Sequence, residues 1–155
     1  MKFVLFALFI AGSFALVLVH FTSLENPRLE VLGAGELRIH SRQHIESPLI
    51  SRVYQTALGF TYITSSDSAT LLREKFHTID GESFTPERKM SKREILNILG
   101  HQIVETQANH IVQTTYAFSN RGRDFIMSGT RRVNLQIAQR DNQITVGWPV
   151  ILGSF

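Results

Sequence analysis

The sequence predicts an α+β domain, an antiparallel sheet with helices packed on one face, set behind an apolar N-terminal segment. Three observations carry this. The run from Phe3 to Phe21 contains no Asp, Glu, Lys or Arg. A single well-capped amphipathic helix begins near Ser91. Beyond it the chain alternates apolar and polar residues in short segments broken by tight turns. A helix followed by a run of antiparallel strands places helices on one side of a sheet.

The N-terminal run FVLFALFIAGSFALVLVHF comes first. As a helix it would reach roughly 28 Å, close to the roughly 30 Å hydrocarbon core of a bilayer. Lys2 is the only charge before it. A positive flank keeps the N-terminus in the cytoplasm and sends the rest across. Two readings stay open for residues 1–22. One is an uncleaved signal anchor, which the length favours. The other is a secretory signal peptide with Ser13-Phe14-Ala15 as its small-x-small cleavage site. Cleavage there would leave the apolar Leu16–Val19 as a new terminus. A buried core helix is disfavoured, because nothing later is apolar enough to surround a helix greasy on every face. Both open readings put the remainder outside the cytoplasm.

Residues 23–35 read as a tether, since Pro27 and Gly33-Ala34-Gly35 break regular structure. Residues 36–155 form the extracytoplasmic domain. Glu36 to Ser41 alternates, with Leu37 and Ile39 on one face and Arg38 and His40 on the other, as in a half-buried strand. Leu49 to Leu58, with Ile50, Val53, Tyr54 and Ala57 on one side, fits a short helix ended by Gly59. Phe60 to Thr64 is β-branched and aromatic and predicts a strand. Ser65 to Ser68 is a turn. Ala69 to Ile79 is ambiguous, with the alternation of Leu72, Glu74, Phe76 and Thr78 leaning to strand. Asp80-Gly81 is a turn signal.

Ser91 and Glu94 then make an S-x-x-E capping box, in which each side chain satisfies a backbone donor of the other residue. Ile95, Leu96, Leu99 and Ile103 supply the helix's apolar stripe. Ile111 to Phe118 predicts a strand, Asn120-Arg121-Gly122 a turn, and Asp124 to Ser128 a short strand. Arg132 to Arg140 alternates, with Val133, Leu135 and Ile137 inward and Asn134, Gln136 and Gln139 outward. Asp141-Asn142 suits a tight hairpin turn. Gln143 to Val146 returns antiparallel, and Trp148-Pro149 bends the chain.

The chain has 155 residues, a net charge of +3 and no cysteine. Disulfides, thiolate chemistry and cysteine-based zinc sites are therefore excluded. Mild basicity suits weak attraction to anionic surfaces and does not by itself imply a nucleic-acid partner. His40 and His44 are spaced for a shared metal on a helix, but their segment reads as strand and loop without a third ligand, so two exposed polar residues is the better reading. His77, His101 and His110 are scattered and read as surface or boundary residues. Asp80, Glu82 and Glu87 lack the alternation and closing Glu of a calcium loop and read as solvated. No G-x-S-x-G, S-x-x-K, P-loop or G-x-G-x-x-G occurs. The sequence thus points to no catalytic residue, no cofactor and no metal.

One cluster stands out. Arg121, Arg123, Arg131 and Arg132 fall in two basic turns with Phe125 between them. The functional reading is contact with an anionic partner, such as phospholipid headgroups, a phosphate-bearing polymer or an acidic protein. The competing reading is a solvated sheet edge whose charge deters pairing with another chain. Trp148 carries a similar pair of readings: an exposed interface anchor, or a core tryptophan closing one end of the sheet.

The segment YAFSNRGRDFIMSGTRRVNLQIAQRDNQITVGWPVILGSF, from Tyr116 to Phe155, resembles the C-terminus of the YwmB-like family, extracytoplasmic proteins of spore-forming Gram-positive bacteria. The shared elements are the aromatic-Ser turn, Phe125-Ile126-Met127-Ser128, Asn134-Leu135-Gln136-Ile137-Ala138 with Arg140 beyond, and Thr145-Val146-Gly147-x-Pro149-Val150-Ile151. The resemblance covers about a quarter of the chain. It implies a fold like the TATA-box-binding protein, a curved antiparallel sheet with helices on its convex face. Family members carry two such lobes, whereas this chain has room for one, or one plus a remnant. A shape does not establish a function, and the family supplies no catalytic residues to carry over.

The resulting expectation is a membrane-anchored or secreted non-enzymatic domain that binds a protein or envelope component, linked by the resemblance to sporulation or wall processes. An extracytoplasmic hydrolase with dispersed catalytic residues is the alternative. A DNA-binding lobe is disfavoured: minor-groove binders present a strongly basic concave surface, and the export segment removes this domain from the chromosome.

Overall fold

The computed structural model describes residues 28–57, 59–76, 79–122 and 124–151. The expected anchor or signal segment and Arg123 lie outside these residues. Among the described residues, no helix is long and apolar enough to cross a membrane. The strands are β1 (Gly35–Ser41), β2 (Arg52–Thr56), β3 (Gly59–Ser65), β4 (Gly81–Pro86), β5 (Gln102–Ala108), β6 (Gln113–Phe118), β7 (Ile126–Ser128), β8 (Arg131–Val133), β9 (Leu135–Arg140) and β10 (Gln143–Trp148). The α-helices are α1 (Ala69–Arg73) and α2 (Lys92–Leu99).

Eight strands form one sheet in the order β2-β3-β1-β4-β10-β9-β6-β5, and β7 and β8 pair as a separate two-stranded hairpin. Every pairing is antiparallel. Among the described residues the fold is α+β, mostly sheet with two short helices. A hairpin occupies each outer edge, β2–β3 at one side and β5–β6 at the other. The halves meet at β4 and β10, which pair over only Val146↔Phe84, Gly147↔Ser83 and Trp148↔Glu82.

The side-chain period of two divides the sheet into faces. Leu37, Ile39, Tyr62, Phe84, Leu135, Ile137, Val146 and Trp148 point to one face, where they meet Ala69 and Leu72 of α1 and Ile95 and Leu96 of α2 in a single core. The inward set expected for Val133, Leu135 and Ile137 is buried. Trp148, the proposed contact residue, belongs to this core at 4 % exposure, so the interface-anchor reading is corrected. Its Nε1 has no partner among the described residues.

Residues assigned to the tether are in part structural. Leu29–Leu32 form a turn of 3-10 helix, and Leu29 and Leu32 are fully buried in the core. Each stabilises the fold by roughly 1.5–3 kcal/mol through burial alone. Glu30, between them, grips Arg73 of α1, and Arg73 also holds Glu82 of β4 at 2.6 Å (Nε to Oε1) and 2.7 Å (Nη2 to Oε2). Glu82 is therefore a buried strand residue and not part of a solvated loop. Burial opposes the charge on Arg73, but hydrogen bonds and attraction from Glu82 and Glu30 outweigh it and hold its pKa above the ordinary value.

Three element expectations change. Leu49–Leu58 gives strand β2, because Val53 and Tyr54 face opposite sides of an exposed ribbon paired to β3. Ala69–Ile79 begins as helix α1, burying Ala69 and Leu72 at a spacing of three. The stripe of α2 stops at Leu99. Gly100 adopts the left-handed conformation that ends the helix, and Ile103 lies exposed in β5. The N-cap is as expected, with the Ser91 hydroxyl accepting from the Glu94 N–H at 3.2 Å. Asn134 and Gln136, expected outward, are buried: Gln136 accepts from the Ile151 N–H at 2.9 Å, where the chain beyond Pro149 folds back over the face opposite the helices. A Cβ on Gly147 would lie 2.5 Å from Ile151, so only glycine admits that return.

Candidate functional site

The arginine-rich turns converge at one end of the sheet, and a buried amide organises them. Asn134 sits in the break between β8 and β9. Its Oδ1 accepts from the Ser119 N–H at 3.0 Å and its Nδ2 donates to the Ser119 carbonyl at 2.8 Å. A side-chain amide thereby imitates one rung of a strand ladder and pins the 119–122 turn. Gly122 passes so close that a Cβ would come within 2.7 Å of Asn134 Nδ2. The Arg121 N–H donates to the Ser119 hydroxyl at 3.3 Å. The Arg121 guanidinium lies against Gly100 at the C-terminus of α2, where a cation complements the exposed carbonyls.

His101 is buried beside this turn rather than at the surface. Its ring Nδ1 lies 2.8 Å from the Leu99 carbonyl. Burial holds its pKa below the ordinary value, against the smaller upward pull of hydrogen bonds to Leu99 and Asn134.

The β7–β8 hairpin projects from this turn. Its register pairs Ile126 with Val133, Met127 with Arg132 and Ser128 with Arg131. Alternation then gives it two distinct faces. The inner one carries Ile126, Ser128, Arg131 and Val133, and Val133 is fully buried. Arg131 fastens the hairpin to the sheet by donating through Nη1 to the Val104 carbonyl at 2.8 Å. Val104 lies where the β5–β6 register shifts, between Ile103 and Glu105.

The outer face carries Met127 and Arg132, with Phe125 beneath. The Arg132 guanidinium carbon stands 4.7 Å from the Phe125 ring centroid, a cation–π contact. Phe125 meets Phe118 of β6 edge to face at 6.5 Å. Phe125 is 43 % exposed and Met127 55 % exposed. A Cβ on Gly129, at the hairpin tip, would meet nothing within 4 Å.

Of the four arginines expected to act together, Arg121, Arg131 and Arg132 share this end of the molecule. Arg131 is partly committed to holding the hairpin, so Arg121 and Arg132 are the freer cations. Sequence spacing located the arginines and Phe125. It did not signal Met127, Phe118 or the Asn134 clamp. The exposure of Met127 follows from the hairpin register, and the clamp joins residues 15 apart.

A second group is chemically distinct. His40, on the face opposite the helices, places Nδ1 3.0 Å from Thr61 Oγ1, and its Nε2 is buried without a partner among the described residues. Burial, then repulsion from Arg38, lowers its pKa to about 4, and Asp80 pulls weakly upward. His40 is therefore not the exposed residue expected. His44 makes an edge-to-face contact with Phe60 at 4.9 Å. Among the described residues, no three His, Asp or Glu side chains come close enough to hold a metal. No protein-family model, curated protein or solved structure matches this chain.

Proposed function

We propose that this chain is a membrane-anchored, non-enzymatic binding domain displayed outside the cytoplasm, with the Arg121–Arg132 end as its contact surface. The single observation that carries the reading is the outer face of the β7–β8 hairpin. There Phe125 and Met127 are exposed beside Arg132, on a hairpin whose other side packs against the β5–β6 part of the sheet. Apolar side chains rimmed by arginine are the composition of a contact surface. The uncharged run from Phe3 to Phe21 supports the anchor. The family resemblance supports an envelope role tied to sporulation or wall processes. It also supports a finer description of the fold, in which the eight strands form the curved sheet of the TATA-box-binding-protein type.

The test is a C-terminal reporter active only outside the cytoplasm, combined with a photo-crosslinker at Met127 in cells making the chain. An active reporter and crosslinks at Met127 but not at Tyr54, on the far edge, are expected. A cytoplasmic C-terminus overturns the reading. A soluble external product would instead favour a secreted domain released by signal cleavage.

The hydrolase reading has one observation in its favour, the His40–Thr61 contact at 3.0 Å. A hydroxyl nucleophile activated by histidine takes its orientation from a third group on the other ring nitrogen. Asp80 does not serve there. Its contact with His40 is backbone to backbone, from the Asp80 N–H to the His40 carbonyl at 2.8 Å. The DNA reading fares no better, because Arg38 on the open face is engaged by Glu36 at 2.8 Å.

A further inference from the structure

We propose that the outer face of the β7–β8 hairpin is a lipid contact that lays Phe125 and Met127 into the interfacial zone of an anionic bilayer. The proposal rests on the anchored-domain reading above and names the partner of its contact surface.

Its geometry starts from the register. Met127 pairs with Arg132, so a flexible apolar side chain and a guanidinium leave the hairpin on the same side. Phe125 extends that side, held by Arg132 above it and Phe118 behind it. Arg121, also exposed, lies against Gly100 at the end of α2, where β5 begins. The inner side is tied to the sheet by the buried Val133 and by the Arg131 bond to Val104, with Ile126 37 % exposed at its margin, and this holds the outer side in a fixed orientation.

Charge complementarity selects the occupant. A guanidinium over an aromatic ring still has N–H groups to donate to a phosphate oxygen. Arginine with aromatic and aliphatic neighbours is the composition that settles at the headgroup–acyl boundary, where apolar area and attraction to anionic lipid act together. A protein partner would be expected to bring carboxylates to the arginines and a pocket to Phe125. A bilayer needs neither, only proximity. The predicted apolar run ends at Phe21, and the first core residue is Leu29, so few residues separate the expected anchor from the folded domain. The tether is therefore short enough to hold the domain beside the membrane surface throughout.

The chain has no cysteine, so Met127→Cys introduces a unique thiol for an environment-sensitive dye. The full chain is incorporated into vesicles of phosphatidylcholine alone or mixed with phosphatidylglycerol, then labelled with a membrane-impermeant dye. Iodide quenching and quenching by spin-labelled lipid are read together with vesicle flotation, and Tyr54→Cys on β2 serves as the far-side reference. In phosphatidylglycerol vesicles the Met127 dye is expected to be severalfold less accessible to iodide and to be quenched by the labelled lipid. In phosphatidylcholine vesicles it stays aqueous, as Tyr54 does in both. Adding Arg121→Gln and Arg132→Gln returns the dye to its phosphatidylcholine behaviour.

A protein that floats with both vesicle types while its Met127 dye stays aqueous overturns the lipid contact and leaves the anchored domain standing. Equal shielding in both lipids overturns it too, since the arginines then select nothing. Flotation with neither overturns both readings. Flotation with phosphatidylglycerol alone, lost on Arg121→Gln and Arg132→Gln, upholds the lipid contact and overturns the anchor.

Discussion

His40 couples the stability of the domain to pH. Its folded pKa of about 4 lies below that of an unfolded histidine, about 6.5. As pH falls, the unfolded chain takes up the proton first. Stability is therefore full above about pH 6.5 and falls until about pH 4, by a total on the order of 3 kcal/mol. His101, also lowered by burial, contributes in the same direction. Urea midpoints measured across this range are expected to decline with acid, and His40→Gln is expected to flatten much of the decline. A flat wild-type profile would show that His40 is solvated when folded. Asn134 is the second residue of consequence. Truncating it to Ala strands the Ser119 N–H and carbonyl in a buried site, at a cost of about 1–3 kcal/mol for each group left unpaired. A lowered melting temperature with loss of hydrogen-exchange protection at Ser119 is the expected result. Neither residue was legible in the sequence. His40 read as exposed because alternation put it opposite Leu37 and Ile39, yet alternation reports which face a residue occupies and not whether that face is wet.

At the scale of elements, the Ser91 cap is the part most plainly written in the sequence, and the hydrogen bond from the Glu94 N–H matches it. Ser91→Ala is expected to cost about 1 kcal/mol, seen as a shift of the urea midpoint at unchanged slope. Short segments were harder to read. Ile50, Val53, Tyr54 and Ala57 fit a helical stripe, but strand β2 forms because β3 offers it five paired positions, from Arg52↔Ile63 to Thr56↔Gly59. The stripe of α2 ran past Gly100 to Ile103, since periodicity does not register a left-handed stop. The Glu30–Arg73–Glu82 network joins the 3-10 turn, α1 and β4 across separations of 43 and 9 residues, which no local pattern encodes. Arg73→Ala leaves two carboxylates facing each other in a largely buried site. A loss of roughly 3–5 kcal/mol is expected in denaturant unfolding, and it should shrink when Glu30→Gln and Glu82→Gln are added.

For the molecule as a whole, antiparallel order and one-sided helix packing followed from composition and turns, whereas strand neighbours did not. The sheet places β1 between β3 and β4 and joins β4 to β10, pairings that depend on long-range closure. The arginine cluster was visible in sequence because charge survives without geometry. Its division into a fastening residue, Arg131, and an outward one, Arg132, needed the hairpin register.

The meeting of β4 and β10 has a consequence for how the chain matures. Translation runs from the N-terminal side, so of the described strands β10, ending at Trp148, is made last. Until it arrives, β4 and β9 each lack a neighbour, and Phe84 has no Val146 across from it. A nascent chain stalled before Gln143 would hold two half-sheets with raw central borders. If the domain crosses a membrane as it is made, the two halves of the sheet cannot join until β10 has followed the earlier described strands across.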